Sequence, residues 1–407
     1  MQDTLTIVLA GGVGSRLSPL TDNRAKPAVP FGGKFRIIDF TLSNCLHSGL
    51  RRILVFTQYK SHSLQKHLRD GWSVFNPELG EYISVIPPQM RRSEQWYSGT
   101  ADAIYQNIWL LSRSEAKYVV VLSGDHIYRM DYALMLEQHK LKGADLTVAC
   151  MEVPVEEASS FGVMDINENK QIVAFSEKPE NPGTIPGDPS KSLVSMGIYI
   201  FTTDALIEAL EKDAQNENSS NDFGHDIIPK LIKQEGVYAY RFGGEAGRVS
   251  QDAYWRDVGS IDSFYQANMD LLLPVPPLDL YQKNWGIRTY EPQQPPARTI
   301  SSTESNDVKL INSMIANGVI ICDASVYKSI LSSNVRVSEN ASIANSILFD
   351  HVQVGEGCQL KNCIIDKHVN IPAGTKIGFD SVEDAKYFTI SEQGIVVVPE
   401  DYQFLSN

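Results

Sequence analysis

A glycine-rich segment near the start of the chain has the residue types of an anion-binding turn. It reads AGGVGSRL (10–17) and directly follows an apolar, strand-like run, LTIVLA (5–10). Backbone N–H groups at a turn after such a strand bind phosphate, but glycine also serves as a simple turn former, so the pattern alone leaves both interpretations open. Two familiar phosphate motifs fail, because Arg16 replaces a required glycine and Lys34 is followed by Phe35 instead of Ser or Thr.

Basic side chains accumulate around this segment although the whole chain is acidic. Lys and Arg total 36 against 49 Asp and Glu, which gives a net charge of −13. Residues 1–60 nevertheless contain eight basic and three acidic side chains, a local excess of +5. Lys26 precedes Pro27, which favours an extended backbone at Lys26 and limits where the ammonium points. We therefore expect a small anion here, against the alternative of a solvated basic loop.

Carboxylates form the second group of candidates. Asp125 follows the apolar run YVVVLS (118–123) beyond Gly124, so it is expected at the carboxyl edge of a sheet. Carboxylate oxygens bind hard divalent cations, which suits Asp125 to a metal site. Asp257, in WRDVG (255–259), is by composition alone a turn former or a helix cap.

An α/β sheet must bring these residues together. From residue 5 to about 273, short β-branched runs alternate with amphipathic stretches, which predicts alternating strands and helices. Near-continuous apolar strands predict a sheet that is covered on both faces. The clearest predicted strands are 5–10, 52–57, 118–123, 145–150 and 196–201, and the clearest helices are 101–113 and 131–143.

A repeat sets the last part of the chain apart. Eleven aliphatic residues, spaced by five or six positions, define a three-sided coil of 17 residues. This is the pattern of a parallel β-helix, here of about three and a half coils, and a chance run would have to fill eleven of eleven positions. The positions are Ile320, Val326, Leu331, Val337, Ile343, Leu348, Val354, Leu360, Ile365, Ile371 and Ile377.

Proline marks the boundary between the two patterns. Residues 274–300 contain six of the twenty prolines, which predicts an extended connector and not a packed element. We therefore predict an α/β domain over 1–273, a linker over 274–300 and a β-helix domain over 301–407.

Composition excludes several classes of protein. The negative charge disfavours binding to nucleic acid and to anionic membranes. No apolar run reaches the ~20 residues of a membrane span, and no basic leader precedes Leu5. Five cysteines without CxxC spacing indicate neither a disulfide framework nor a zinc site. We expect a cytoplasmic protein.

Seven motifs carry a family resemblance that covers nearly the whole chain. They are GGVGSRL (11–17), RAKPAVPFGGKFRIIDF (24–40), WYSGTADAIYQN (96–107), SGDHIYRMDY (123–132), FSEKP (175–179), SMGIYIF (195–201) and YWRDVGS (254–260). With these motifs the chain resembles the bacterial glucose-1-phosphate adenylyltransferases, which are sugar-phosphate nucleotidyltransferases of glycogen synthesis. The resemblance implies a Rossmann-like (GT-A-like) mixed-sheet domain with a left-handed parallel β-helix. It also implies adenylyl transfer from ATP to glucose 1-phosphate with Mg²⁺.

The resemblance assigns roles to individual residues. For the nucleotide it implies Gly11, Gly12, Gly14, Arg16, Lys26 and Gln89, and for Mg²⁺ it implies Asp125 and Asp257. Arg16, Lys26, Asp125 and Asp257 are the catalytic set, in which Arg16 neutralises the leaving diphosphate. For glucose 1-phosphate it implies Tyr97, Gly162, Glu177, Lys178 and Ser195.

The resemblance further implies a homotetramer regulated by small anionic effectors such as fructose 1,6-bisphosphate and AMP. Arg24, Arg36, Tyr59 and His62 match positions that line the effector site between the domains. Asn23 departs from the lysine of the enteric enzymes, and loss of one ammonium at a phosphate contact predicts a response weaker by ~1–2 kcal/mol.

Three alternatives stay open. A non-catalytic regulatory subunit would lose the charged catalytic residues, whereas all of them are present. A relative that uses UTP or dTTP would share the first motif, since that motif indicates the reaction better than the base. An acyltransferase on the β-helix would need a base, for which His351 and His368 are available, although both are expected on solvated corners.

Overall fold

The computed structural model describes residues 1–89, 96–234, 236–243, 249, 253–301 and 309–404. In the first part the strands are β1 Thr4–Ala10, β2 Pro30–Phe31, β3 Phe35–Arg36, β4 Arg52–Thr57, β5 Tyr82–Ile86, β6 Tyr118–Ser123, β7 His126–Tyr128, β8 Leu146–Pro154, β9 Gly162–Ile166, β10 Ile172–Glu177, β11 Lys191–Thr202, β12 Val237–Arg241 and β13 Trp255–Asp257. The helices are α1 Ile37–His47, α2 His62–Gly71, α3 Thr100–Tyr105, α4 Ile108–Ser114, α5 Tyr132–Lys142, α6 Thr203–Asp213, α7 Ile228–Leu231 and α8 Ile261–Asp270.

One mixed sheet organises this part of the chain. Its order is β10-β9-β11-β6-β1-β4-β5, with β8 on β11 and β12 on β8. Strands β6, β1, β4 and β5 are parallel, and β11 runs antiparallel to β6. Leu9 pairs with Ser123, so the glycine turn after β1 and Asp125 after β6 emerge at the same edge.

Successive residues of the central strands enter different cores, as the apolar patterns predict. On β1, Ile7 belongs to one buried cluster and Val8 to another, and on β6 the same holds for Val121 and Leu122. The sheet is therefore covered on both faces, which confirms the α/β class.

The single helix predicted over 101–113 is wrong, since the chain forms two short helices, α3 and α4, with a break at Asn107. The Asn107 amide is buried and donates to the carbonyl of Ala103 at 2.9 Å. Asparagine side chains compete in this way for backbone partners and interrupt helices.

The prediction that residues 274–300 form an unpacked connector is also wrong. Leu278 and Trp285 are fully buried, and the Trp285 indole donates to the Asn44 side chain at 2.9 Å. The Arg288 guanidinium donates to the carbonyl of Gly71 at 3.0 Å. These contacts tie the proline-rich segment to the α/β part, and its last residues already belong to the β-helix.

Three parallel sheets form the second part and are consistent with the left-handed β-helix. One face contains β14 Arg298–Ile300, β17 Ile320–Cys322, β20 Arg336–Val337, β23 Gln353–Val354 and β26 Asn370–Ile371. The second contains β15 Lys309–Ile311, β18 Ser325–Tyr327, β21 Ser342–Ala344, β24 Gln359–Lys361 and β27 Lys376–Ile377. The third contains β16 Met314–Ile315, β19 Ile330–Leu331, β22 Ile347–Leu348, β25 Cys363–Ile365 and β29 Val396–Val398, with β28 Thr389–Ile390 antiparallel at its end and α9 Ser381–Asp384 before it.

Two details of the predicted repeat need correction. Over the described residues of the β-helix each face has five parallel strands, which is more than three and a half coils. Ile320 is not the inward residue of its strand, because Ile321 pairs with Val337 and is buried. From Ile321 to Val337 the coil is one residue shorter than the later coils, such as the one from Val337 to Val354. A single shortened coil shifts the pattern by one position, which a constant period misses.

One apolar cluster contains residues of both the α/β part and the β-helix. Phe264 of α8 contacts Phe349 of the β-helix edge-to-face, with ring centroids 6.4 Å apart. The same cluster includes Leu17 near the glycine turn and Ile347 and Val397 of the β-helix. In the part of the chain that the structure describes, no helix combines the length and apolar character needed to cross a lipid bilayer.

Candidate active site

All the predicted nucleotide residues except Gln89 converge on one pocket at the carboxyl edge of β1 and β6. Eight predicted residues line it: Gly11, Gly12, Gly14, Arg16, Lys26, Tyr97, Asp125 and Glu177. Gly197 and Gly259 also line it, which leaves several stretches of backbone open to a ligand. The sequence motifs therefore meet where a phosphate ester and a sugar can lie side by side.

Gly14 needs to be glycine for two reasons. Its φ of +66° lies in the left-handed region, and a Cβ there would approach Lys26 Cβ and Thr21 Cγ2 to 3.1 Å. The Thr21 hydroxyl also donates to the carbonyl of Gly14 at 2.9 Å. The glycine turn thus rests directly on the segment that carries Lys26.

Lys26 bridges the two carboxylates predicted to bind metal. Its Nζ lies 2.9 Å from Asp125 Oδ2 and 3.0 Å from Asp257 Oδ1. The expectation of an extended backbone at Lys26 is wrong, because Lys26 begins a short 3₁₀ turn, Lys26–Ala28. In this turn the Val29 N–H donates to the carbonyl of Lys26 at 3.0 Å.

A short pairing of two strands brings Asp257 to Asp125. Strand β13 lies antiparallel to β7, and Asp257 is opposite His126, the residue after Asp125. Burial favours the neutral form of Asp125, but the charge of Lys26, the electrostatic effect of the neighbouring His126 ring and the hydrogen bonds from Lys26 and Ser123 outweigh it. Together they hold the pKa of Asp125 well below its usual range. Burial likewise disfavours the charge on Lys26, yet the two carboxylates raise the pKa of its ammonium.

His126 is a functional candidate that the sequence analysis missed. Its Nε2 lies 3.5 Å from Asp125 Oδ1 and 4.0 Å from Asp257 Oδ1, and its ring packs edge-on against Trp255. The three side chains offer two carboxylate oxygens and one imidazole nitrogen to a common point. Its position directly after Asp125 was the only available signal, and β7 keeps both residues at the pocket.

The predicted sugar residues surround the other side of the pocket. The Tyr97 hydroxyl accepts a hydrogen bond from Asn107 at 2.9 Å, so the helix break fixes the orientation of the tyrosine. Burial raises the pKa of Tyr97, which therefore stays protonated. A Cβ on Gly162 would lie 2.8 Å from Glu177 Oε2, and one on Gly224 would lie even closer. Two backbone segments thus enclose the Glu177 carboxylate.

Five predicted residues, the four described here and Gln89, do not line this pocket directly. Asp257 and Gly162 lie just behind it, in contact with Lys26 and Glu177 respectively. Lys178 is largely exposed, with Nζ 3.2 Å from Glu177 Oε1, and Ser195 is buried beside Gly197.

Gln89 is not brought to the pocket. Its side chain is exposed and its amide donates to the carbonyl of Pro87 at 2.9 Å. The neighbouring residues 90–95 lie outside the described residues.

Comparisons with known proteins agree with this geometry. The chain matches the family described as GlmU-like, C-terminal hexapeptide over residues 295–398, and the family described as Nucleotidyl transferase over residues 5–273. It belongs to the nucleotidyl transferase family.

The relatives resemble the chain over nearly its whole length. A protein of Vibrio parahaemolyticus named glucose-1-phosphate adenylyltransferase 2 is 71% identical over 99% of this chain and 100% of its own length. A protein of the same name from Vibrio cholerae is 68% identical over 99% of both chains. The glucose-1-phosphate adenylyltransferase of Shewanella sp. ANA-3 is 51% identical over 98% of this chain and 95% of its own.

Nucleotidyl transferases generally use a divalent metal, and the residues present fit such an ion. Asp125 and Asp257 each direct one carboxylate oxygen to the same cation, the Lys26 ammonium. Two carboxylates with an adjacent imidazole are a donor set that divalent ions accept.

A second cavity lies between the nucleotidyl transferase domain and the β-helix. Of the four residues predicted to bind effectors, Arg24, Arg36 and His62 line it, and so does Asn23. Tyr59 does not line this second cavity. Its ring packs against Trp96 at the active-site pocket, with ring centroids 5.0 Å apart. The Arg24 guanidinium is already paired with two carboxylates of the β-helix.

Proposed function

We propose that the chain transfers the adenylyl group of ATP to α-D-glucose 1-phosphate, giving ADP-glucose and diphosphate, the step that supplies the glucosyl donor for glycogen. The observation that supports it best is the Lys26 ammonium between Asp125 and Asp257 at a glycine-lined pocket. Two relatives that are 71% and 68% identical over 100% and 99% of their own lengths carry the name of this activity.

The reaction needs alignment and charge neutralisation more than a base. An oxygen of the sugar phosphate attacks the α-phosphorus in line, the bond to the bridging oxygen breaks, and diphosphate leaves with the electron pair. The nucleophile is already an anion, so no proton has to be removed from it. The protein therefore contributes by bringing two polyanions together.

The triphosphate side of the pocket supplies positive charge and N–H donors. The backbone of Gly11, Gly12 and Gly14 faces the phosphates, and Arg16 neutralises the leaving diphosphate. Lys26 stabilises the charge on the phosphoryl oxygens. A divalent ion, Mg²⁺ in this proposal, would be held by Asp125 and Asp257 with His126 in reach, and supplies further charge neutralisation when bound.

The sugar side orients the nucleophile. Glu177 accepts hydrogen bonds from sugar hydroxyls, and Tyr97 packs on the ring from a position fixed by Asn107. Lys178 contacts the sugar phosphate from the exposed edge. Ser195 donates a hydrogen bond, and Gly162 allows the close approach of Glu177.

Diphosphate release from the purified chain tests the reaction. With Mg²⁺, ATP and glucose 1-phosphate we expect diphosphate and ADP-glucose in equal amounts, and none when the sugar phosphate is omitted. The same assay with UTP and dTTP tests the base, and a clear preference for either would overturn the substrate assignment. Absence of diphosphate with every nucleotide would instead favour the regulatory-subunit alternative, and turnover of acetyl-CoA would favour the acyltransferase.

Regulation and assembly are part of the proposal. We assign catalysis to residues 1–273, and effector binding and assembly to the β-helix over 301–407, of which residues 302–308 and 405–407 lie outside the described ranges. The basic side chains of the interdomain cavity support binding of small anions, but Arg24 is engaged and Asn23 is uncharged. We therefore expect weak activation by fructose 1,6-bisphosphate. Initial rates with and without it are the test, and strong activation at submicromolar concentration would contradict the expectation.

A homotetramer in the cytoplasm completes the proposal. Strand β5 lies at the sheet edge with all five residues partly exposed, which supports association with another copy. Light scattering measures the mass in solution. The five cysteines are free thiols, which supports a reducing compartment.

A further inference from the structure

A buried ion-pair cluster connects the β-helix to the segment that carries Lys26. Nη1 of Arg24 lies 2.9 Å from both carboxylate oxygens of Asp366, and Nη2 lies 2.7 Å from Glu400 Oε2. Arg24 and Asp366 are 4% and 1% exposed, and Glu400 is 19% exposed. Arg24 belongs to the α/β part and both carboxylates belong to the end of the β-helix, so the cluster joins two parts 342 residues apart in sequence.

We propose that Asp366 and Glu400 are positioning residues for catalysis, which hold Lys26 and the glycine turn in place by gripping Arg24. The activity readout of this proposal rests on the proposed adenylyl transfer. Neither carboxylate lines the active-site pocket, so an effect on turnover would not come from direct contact with substrate.

The path from Arg24 to Lys26 is short and stiff. Only Ala25 lies between them, and its N–H donates to the carbonyl of Lys60 at 3.3 Å. Lys26 then begins the 3₁₀ turn that directs its side chain to the two catalytic carboxylates. Because these residues are consecutive and buried, a shift of Arg24 displaces the Lys26 ammonium.

The same segment supports the glycine turn. Nη1 of Arg24 also donates to the carbonyl of Leu20 at 3.3 Å, which fixes the chain ahead of it. Thr21 donates to Gly14, and its own carbonyl accepts a hydrogen bond from Lys60 at 3.2 Å. Release of Arg24 would therefore loosen both the ammonium and the phosphate-binding backbone.

The buried position of the Arg24 guanidinium depends on the negative charges of Asp366 and Glu400. A guanidinium buried without a partner is strongly unfavourable, so Arg24 would move toward water if both carboxylates became neutral. One remaining carboxylate still pairs with the guanidinium. We therefore expect a graded effect, smaller for each single variant than for the double variant.

The test compares the full-length chain with the double variant Asp366→Asn/Glu400→Gln, which changes charge but little volume. We expect kcat for diphosphate release to fall at least ~10-fold with KM changed less than ~3-fold. A displaced catalytic group reduces stabilisation of the transition state more than it reduces substrate binding. Hydrogen exchange measured by mass spectrometry should become faster in peptides covering residues 18–28 and stay unchanged in the β-helix.

Two control variants separate positioning from general damage. Asp350→Asn removes a carboxylate of the same β-helix that pairs with Lys367 at 2.7 Å and not with Arg24. Tyr265→Phe removes a hydrogen bond of 2.6 Å from α8 to the carbonyl of Asn345, another contact between the two parts. Both should keep the kcat and the exchange pattern of the parent.

Three results would overturn the proposal. The first is a kcat within twofold of the parent in the double variant, and the second is equal losses in either control. The third is faster exchange throughout the chain, which would mark a purely structural role. If the double variant does not fold, each single variant should show smaller changes in the same direction. Hydrogen exchange can be measured without turnover. An inactive parent would therefore contradict the proposed function, whereas the exchange rates would still test whether Asp366 and Glu400 hold residues 18–28 in place through Arg24.

Discussion

Among the individual residues of the site, the Lys26 ammonium offsets the repulsion between two neighbouring carboxylates. Asp125 and Asp257 each direct an oxygen to the same point, and two carboxylates this close repel each other unless a cation lies between them. Lys26 supplies that charge from a largely buried position. The site therefore keeps its shape before any ligand arrives, which lowers the reorganisation needed for reaction.

Replacement of Asp125 tests the metal role. Asp125→Asn should lower kcat by ~10²-fold or more, because it removes an anionic ligand from a hard cation. Diphosphate release measures turnover, and electron paramagnetic resonance of Mn²⁺ measures ion binding, which should weaken in parallel. Asp204→Asn, at an exposed position of α6, is the matched control. Unchanged turnover in Asp125→Asn would remove this residue from the mechanism.

Lys178 is expected to act mainly in substrate binding. Its ammonium is exposed and borders Glu177, so its phosphate contact exists before and during reaction. Lys178→Gln should therefore raise KM for glucose 1-phosphate about tenfold or more while kcat changes less. Initial rates with varied sugar phosphate give both constants. Lys191→Gln, an exposed lysine paired with Glu152, should behave as the parent, and an effect of Lys178→Gln on ATP alone would contradict the assignment.

At the scale of elements, β9 and β10 meet closely at Gly162. A Cβ there would lie 2.4 Å from the Phe175 ring and 2.8 Å from the Glu177 carboxylate, so Gly162→Ala has to displace one of them. We expect KM for glucose 1-phosphate to rise several-fold, measured by initial rates. Gly286→Ala is the control, because among the described residues, its two chain neighbours aside, no atom lies within 4 Å of the Cβ that this substitution adds. An unchanged KM in Gly162→Ala would show that the hairpin adapts without moving Glu177.

His139 on α5 should make the stability of the sheet sensitive to acid. Burial and the nearby Lys140 lower its pKa from 6.5 to about 4, and its ring nitrogens pair with Thr147 and Thr202. The unfolded chain takes up this proton below pH about 6.5 and the folded chain does not, so stability falls as pH decreases from about 6.5 to about 4, by about 3 kcal/mol at most.

Urea unfolding at several pH values measures this dependence. His139→Gln should flatten the acid side of the stability profile, whereas His225→Gln, at an exposed position, should leave it as in the parent. A steep profile that persists in His139→Gln would assign the acid sensitivity to other groups.

Several elements could be predicted from the sequence because their signal is local. The apolar run of β1 with its glycine turn, and the run of β6 before Asp125, both lie where the patterns indicate. The meeting of Asp257 with Asp125 has no such signal, since it depends on a pairing of three residues between distant strands. Only the family resemblance indicated it.

The sequence-based predictions that proved wrong also have local causes. The break at Asn107 depends on a side chain that bonds to its own helix, and the shift at Ile320 depends on one coil that is a residue short. Burial of Trp285 depends on partners in α1, which proline content does not reveal. Tyr59 lies at the active-site pocket, and not at the interdomain cavity, because its ring packs on Trp96.

At the scale of the whole molecule, the shared core predicts that both parts unfold together. Phe349→Ala removes a buried ring that packs on Phe264 and should cost ~3–5 kcal/mol. Thermal unfolding followed by fluorescence and calorimetry should show one transition at lower temperature, and not a separate loss of the β-helix. Phe379→Ala, at a largely exposed position, should shift it little. Two separated transitions in the parent would show that the cluster spanning both parts does not couple their unfolding.

The shared core also limits how this chain can be recombined. The two family matches end and begin on either side of residues 274–294, which invites a chimaera that joins the first part of one homologue to the second part of another. Such a graft would cut through the contact of Phe264 with Phe349 and the packing of Trp285. Successful chimaeras should therefore keep Phe264 of α8 with the β-helix residues that it contacts, and keep the proline-rich segment with the α1 residues on which Trp285 packs.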